Sequence, residues 1–182
     1  LNTCWMVDVY SSFDFTRYLI LSWTPIQHFF FKDILISGEE GKKHFYNQSF
    51  LLDLGEKYSV TFIEYCLYDF ICHHDSLRIK FEKEGENYFA RYQPPATILF
   101  RLHETTIPVN LSESNREHFI SKESEKVKKS LHFSDGTLLG ALLLQDETKS
   151  TLLITCHHLL VDLVSWRIMI DDLNAIIKSK IW

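Results

Sequence analysis

Two kinds of apolar pattern alternate along this chain. Val60, Ile63, Leu67 and Phe70 recur at helical spacing behind Ser59, predicting a helix that Ser59 opens and that runs through His74. Trp166, Ile170, Leu173 and Ile177 do the same, with Arg167, Asp171, Asn174 and Lys178 on the opposite face. They predict an amphipathic helix over 163–178, with Asp162 as its N-cap. Ser112 to Lys129 is polar, with Phe119, Ile120, Val127 and Leu131 as a sparse apolar side, and reads as an exposed helix. Thr24 and Pro25 suit the cap and first position of a short helix. Between these lie short β-rich runs. They are 44–54, a pair at 76–81 and 88–92 joined across Glu84-Gly85-Glu86-Asn87, a strand at 97–102, and a pair at 138–144 and 151–156. Gly38 to Lys43 reads as a charged loop. The pattern predicts a mixed α/β sandwich in which strands 138–144 and 151–156 are central and the 163–178 helix packs on their sheet.

Composition narrows the class. With 46% hydrophobic residues in 182, the chain can bury a core and is not disordered. A net charge of −5 gives no reason to expect nucleic acid as a partner. No apolar run reaches membrane-spanning length, and no basic-then-apolar leader opens the chain. Because it starts at Leu1, a fragment or excised piece is expected. Cys4, Cys66, Cys72 and Cys156 are scattered without a C-x-x-C pair, which predicts reduced thiols and a cytoplasmic setting.

The chemistry concentrates in Cys156-His157-His158-Leu159-Leu160-Val161-Asp162-Leu163-Val164-Ser165-Trp166-Arg167. A strand delivers two imidazoles to its end and a helix leaves just after them. Successive strand side chains point to opposite faces, so only one histidine can serve a given cavity. Histidine suits general acid/base work near neutral pH. Cys156, His157, His158 and Asp162 also hold metal-donor atoms, but adjacent histidines on a strand diverge and no second ligand cluster accompanies them, so no metal is expected. A second pair, His73-His74-Asp75, ends the helix that Ser59 opens. There the helix dipole favours cationic histidine, which reads as structural.

His157-His158-x-x-x-Asp162 resembles the core motif of the condensation and epimerization domains of nonribosomal peptide synthetases, which share the chloramphenicol acetyltransferase fold. Val164-Ser165-Trp166-Arg167-Ile168 looks most like the epimerization branch. Pro25-Ile26-Gln27 followed by aromatics, Asn47-Gln48-Ser49 and His73-His74-Asp75-x-Leu77-Arg78 resemble further motifs in the family's order. The Pro25 segment reads equally well as a capped aromatic helix. One departure is Leu163, where the family usually carries glycine and open space.

The resemblance implies a chloramphenicol acetyltransferase-like two-layer α/β sandwich, a single subdomain. Residues 22–182 would be the N-terminal half of such a domain and 1–21 an unassigned lead-in. It implies His158 as the acid/base residue, with His157, Asp162 and Arg78 in support. Asp162 would be paired to Arg78, and Leu163 and Ser165 would lie along a substrate channel. Substrates would be aminoacyl or peptidyl thioesters whose phosphopantetheine arm arrives on a carrier protein, with no directly bound cofactor. A C-terminal subdomain, or a second subunit, would complete the tunnel. Without it the chain alone is expected to be inactive, and the face it would cover to be exposed and apolar. Two alternatives stay open: a free-standing acyltransferase of the chloramphenicol acetyltransferase type, active as an oligomer, and a non-catalytic interaction module that keeps the fold.

Overall fold

A computed structural model describes residues 23–34, 46–94, 100–133 and 136–181. In chain order these form α1 (Pro25–Phe29), a π-helical turn (Phe30–Ile34), β1 (Asn47–Asp53), α2 (Val60–His73) and a 3-10 turn (Asp75–Arg78). β2 (Ile79–Glu84), β3 (Asn87–Tyr92), β4 (Phe100–Thr106), α3 (Glu113–Lys129), β5 (Leu139–Gln145), β6 (Ser150–His157) and α4 (Leu163–Lys180) follow. The main sheet runs β1-β6-β5-β4, and β2-β3 is a separate hairpin. β1 and β5 are antiparallel to β6, and β4 is parallel to β5. The two strands expected at the centre are central. β5 and β6 are each flanked on both sides, which satisfies their backbone groups without water.

Their side chains explain why both strands read as near-continuous apolar runs: both faces of the sheet are covered. Leu139, Ala141 and Leu143 with Leu152, Ile154 and Cys156 face a core shared with Ile63, Leu67 and Phe70 of α2 and with Trp166, Met169, Leu173 and Ile177 of α4. Leu142, Leu144 and Leu153 face the other way, towards Val127 of α3, with Phe119 and Ile120 packed alongside. Each fully buried leucine stabilises the fold by about 1.5–3 kcal/mol relative to exposure. Gly140 lies where α3 comes closest. A Cβ there would stand 2.9 Å from Val127 Cγ1 and 3.3 Å from Leu131 Cδ2.

The helix starts fall where the capping residues predict. Ser59, Ser112 and Asp162 each accept the backbone N–H three residues on, and Thr24 with Gln27 forms a reciprocal capping box. Three details differ from expectation. Met169 is buried in the α4 interface, while Ile170 is only half-buried, because the helix is rotated slightly within its broad apolar arc. Residues 76–78 are a 3-10 turn and not strand, since the Leu77 N–H bonds back to the His74 carbonyl at 3.0 Å before pairing can begin. The strand expected at 97–102 is described from Phe100 and extends to Thr106. The 1–21 lead-in, the 38–43 loop and residues 97–99 lie outside the described residues.

Cys66, Cys72 and Cys156 are free thiols, and Cys4 lies outside the described residues. Burial pushes the Cys66 thiol up to about 11 and raises that of Cys156 as well, so both behave as small apolar core groups. Among the described residues no helix is long and apolar enough to cross a membrane.

Candidate active site

The two histidines at the end of β6 separate as strand geometry requires. His157 is fully buried. Its Nδ1 accepts the Leu159 N–H at 3.3 Å, and its ring meets the edge of Phe30 at 5.1 Å between centroids. This imidazole is part of the core. His158, one residue beyond the strand, is only half-buried. Its backbone N–H donates to the Tyr46 carbonyl at 2.8 Å, and the Tyr46 ring stacks on its imidazole at 5.1 Å and 27°. Its Nδ1 lies 2.7 Å from the Val161 carbonyl oxygen, and its Nε2 lies 3.1 Å from the side-chain nitrogen of Gln48. Gln48 also accepts a 2.9 Å hydrogen bond from the Trp166 indole at its Oε1.

The register of β1 against β6 brings these groups together. Gln48 is opposite Cys156, so it shares a face with His158 and looks towards α4. The neighbouring Ser49 hydroxyl donates to Thr155 at 2.9 Å. The loop after the histidines is held from the far end of the chain, where the buried Gln27 donates to the Leu159 carbonyl at 2.9 Å. Gln27 and Gln48 both stand within motifs legible in the sequence, but nothing in the sequence assigned them these contacts. Trp166 is buried, as a core residue should be, and in addition its indole N–H is used.

Asp162 corrects one expectation: it does not pair with Arg78. Its Oδ1 accepts from the Ser165 N–H at 2.7 Å and from the Ser165 hydroxyl at 2.6 Å, at an exposed helix start. Arg78 pairs with Asp75 and donates to the Gln93 carbonyl at 2.9 Å. The physical reason is local supply. The cap satisfies the carboxylate within its own helix turn, and Asp75 lies three residues from the arginine. Ser165 is thereby committed to the cap. The Ser165 hydroxyl first, and then its N–H, hold the Asp162 carboxyl below its ordinary value.

Asp162→Ala should therefore cost about 1 kcal/mol, the usual worth of a cap. Because the folded-state pKa is lowered, this contribution is present above the unfolded value near pH ~3.9 and fades as pH falls through the folded one. Thermal melts of Asp162→Ala, Arg78→Ala and the double mutant should show additive losses. A coupling above about 0.5 kcal/mol would restore the direct pair.

Leu163 is 81% exposed and fills no space within this chain. Val164 (68%) and Ile168 (53%) are also exposed apolar residues on the first turns of α4. The donor atoms of Cys156, His157, His158 and Asp162 do not converge on one point. Among the described residues the group of three that does is His73, His74 and Asp172. There Asp172 Oδ2 lies 3.7 Å from His73 Nε2 and 3.2 Å from His74 Nε2, docking the end of α2 on α4. Burial first, and His73 second, lower the pKa of His74, in the direction opposite to the helix dipole's preference for a cation.

Comparison with known proteins gives the chain's family and relatives in fold. The Condensation domain family matches residues 20–180. The chain is 33% identical over 156 residues to a linear gramicidin synthase of Brevibacillus parabrevis, covering 84% of this chain and 2% of that protein. It is 33% identical over 153 residues to surfactin synthase subunit 1 of Bacillus subtilis (strain 168), covering 84% and 4%. In fold it is similar to the epimerization domain from the third module of tyrocidine synthetase B, with a TM-score of 0.75 at 23% identity, covering 88% of this chain and 35% of that one. It is also similar to the starter condensation domain of rhizomide synthetase, with a TM-score of 0.65 at 13% identity, covering 79% and 36%. The chain thus spans a few per cent of these synthetases and about a third of the solved domains. With a match across nearly its whole length and a histidine motif at the end of a central strand, this chain belongs to the condensation-domain family.

Proposed function

We propose that residues 22–182 are the N-terminal subdomain of an epimerization or condensation domain of a nonribosomal peptide synthetase. His158 is its acid/base residue, acting on a carrier-bound aminoacyl or peptidyl thioester. What supports this most is the contrast at the motif. His157 is locked in the core, whereas His158 is only half-buried at the end of the same strand. In epimerization, His158 Nε2 takes the Cα proton beside the thioester, leaving an enolate, and reprotonation from the other face inverts the centre. In condensation, the same nitrogen orients the acceptor amine or takes its proton as it attacks the thioester carbonyl. The substrate's phosphopantetheine arm arrives on a carrier protein. A C-terminal subdomain covers the exposed apolar residues at the start of α4 and supplies the opposite wall, including any stabiliser of the enolate. The setting is cytoplasmic. The Val164-Ser165-Trp166 sequence favours the epimerization version.

The test is to join this chain to the second subdomain of an epimerization domain and supply an aminoacyl carrier protein deuterated at Cα. Label loss with inversion is the expected result. Peptide bond formation between donor and acceptor carriers, without label loss, would select condensation. Neither reaction from a folded, completed domain would identify a non-catalytic module. Efficient acyl transfer by residues 1–182 alone would identify a free-standing acyltransferase.

A further inference from the structure

The contacts around His158 specify where its proton sits. An indole N–H can only donate, so the atom of Gln48 facing Trp166 Nε1 at 2.9 Å must be the amide oxygen. The amide NH2 then faces His158 Nε2 at 3.1 Å, and that nitrogen must accept. On the other side of the ring, the Val161 carbonyl can only accept, so His158 Nδ1, 2.7 Å away, must carry a hydrogen. Two contacts from different parts of the fold therefore require the same tautomer, with hydrogen on Nδ1 and a lone pair on Nε2. The stacked Tyr46 ring holds the imidazole plane, so the lone pair also has a fixed direction.

We propose that Gln48, oriented by the Trp166 indole, is a positioning residue that holds His158 as the Nδ1–H tautomer with its Nε2 lone pair aimed for proton transfer. This rests on the reading of His158 as the base and adds how the base is prepared. At rest the Gln48 NH2 occupies the lone pair. A substrate C–H or N–H reaches Nε2 by taking the place of that amide, and the amide returns when the proton has left. Neither partner is recognisable from its neighbours in sequence, since Gln48 lies 110 residues from His158 and 118 from Trp166. The same geometry gives Trp166 a second task besides filling the core.

Nitrogen-15 NMR on the 182-residue chain tests this without turnover. The signals of His158, identified by their loss in His158→Ala, should show a pyrrole-type Nδ1 and a pyridine-type Nε2. A 15N–15N coupling should cross the hydrogen bond from the Gln48 side-chain amide to Nε2. Gln48→Leu should abolish the coupling, and Trp166→Phe should weaken or erase it while amide spectra report an intact fold. A pyrrole-type Nε2 in the unsubstituted chain overturns the proposal, and a full coupling in Trp166→Phe overturns the part given to Trp166. In the completed domain, Gln48→Leu should lower kcat about tenfold, roughly the orienting worth of one hydrogen bond, with KM little changed. An unchanged kcat in Gln48→Leu sinks the positioning role while leaving His158 as the base. An unchanged kcat in His158→Ala sinks the reading beneath it.

Discussion

In a domain completed by its second subdomain, His158→Ala should lower turnover by about 10²–10⁴-fold, the usual worth of a positioned acid or base. His157→Ala should act on the fold. The two residues are adjacent and chemically identical, so this contrast depends only on where the backbone sends each ring. His157 is fully buried against Phe30 and accepts a backbone N–H from the loop that carries His158. Removing it leaves a cavity and strands that donor, at a cost of roughly 3 kcal/mol. His158 is half-buried, so truncating it removes less packing than truncating its neighbour. Label loss from a Cα-deuterated aminoacyl carrier gives the rate, and thermal melts give the stability. His158→Ala should be slow and stable, and His157→Ala unstable but more active per folded molecule. The reverse pattern would exchange the two roles.

Gly140→Val is expected to lower stability by about 3 kcal/mol, which corresponds to a fall in Tm of roughly 6–12 °C for a domain of this size. Gly140 lies on the central strand β5, where the sheet meets α3. A Cβ would come 2.9 Å from Val127 Cγ1, closer than packed carbons allow, and 3.3 Å from Leu131 Cδ2. Val127 and Leu131 are themselves buried and cannot swing into water. The alternative sign also has a cause. Replacing glycine in a strand reduces the freedom of the unfolded chain and stabilises by about 0.4–1 kcal/mol where space permits. Space does not permit here, so the clash wins, and it grows from alanine to valine. A valine variant as stable as the parent would show that α3 is not seated on this face. The effect reaches function because the opposite face of the same strand pair supports α4 and, through it, Trp166 and Gln48.

Features whose causes lie within a few residues were legible along the chain before any packing was known. Ser59, Ser112 and Asp162 were recognisable as caps because the hydrogen bond each makes spans three residues. Strands β5 and β6 were legible because covering both faces of a sheet leaves nearly every position apolar. The spacing of His157, His158 and Asp162 survives in sequence for the same reason: a strand end and a helix start place all three. What depends on packing between distant segments emerged with the fold. The fold gave Arg78 to Asp75 and not to Asp162, and made His73 and His74 a docking point for α4. It set Gln27 against the loop after the histidines, and Gln48 between His158 and Trp166. A glutamine offers the same donor and acceptor wherever it stands. Its partner is chosen by strand register and by the rotation of a helix more than a hundred residues away, and no local pattern records either.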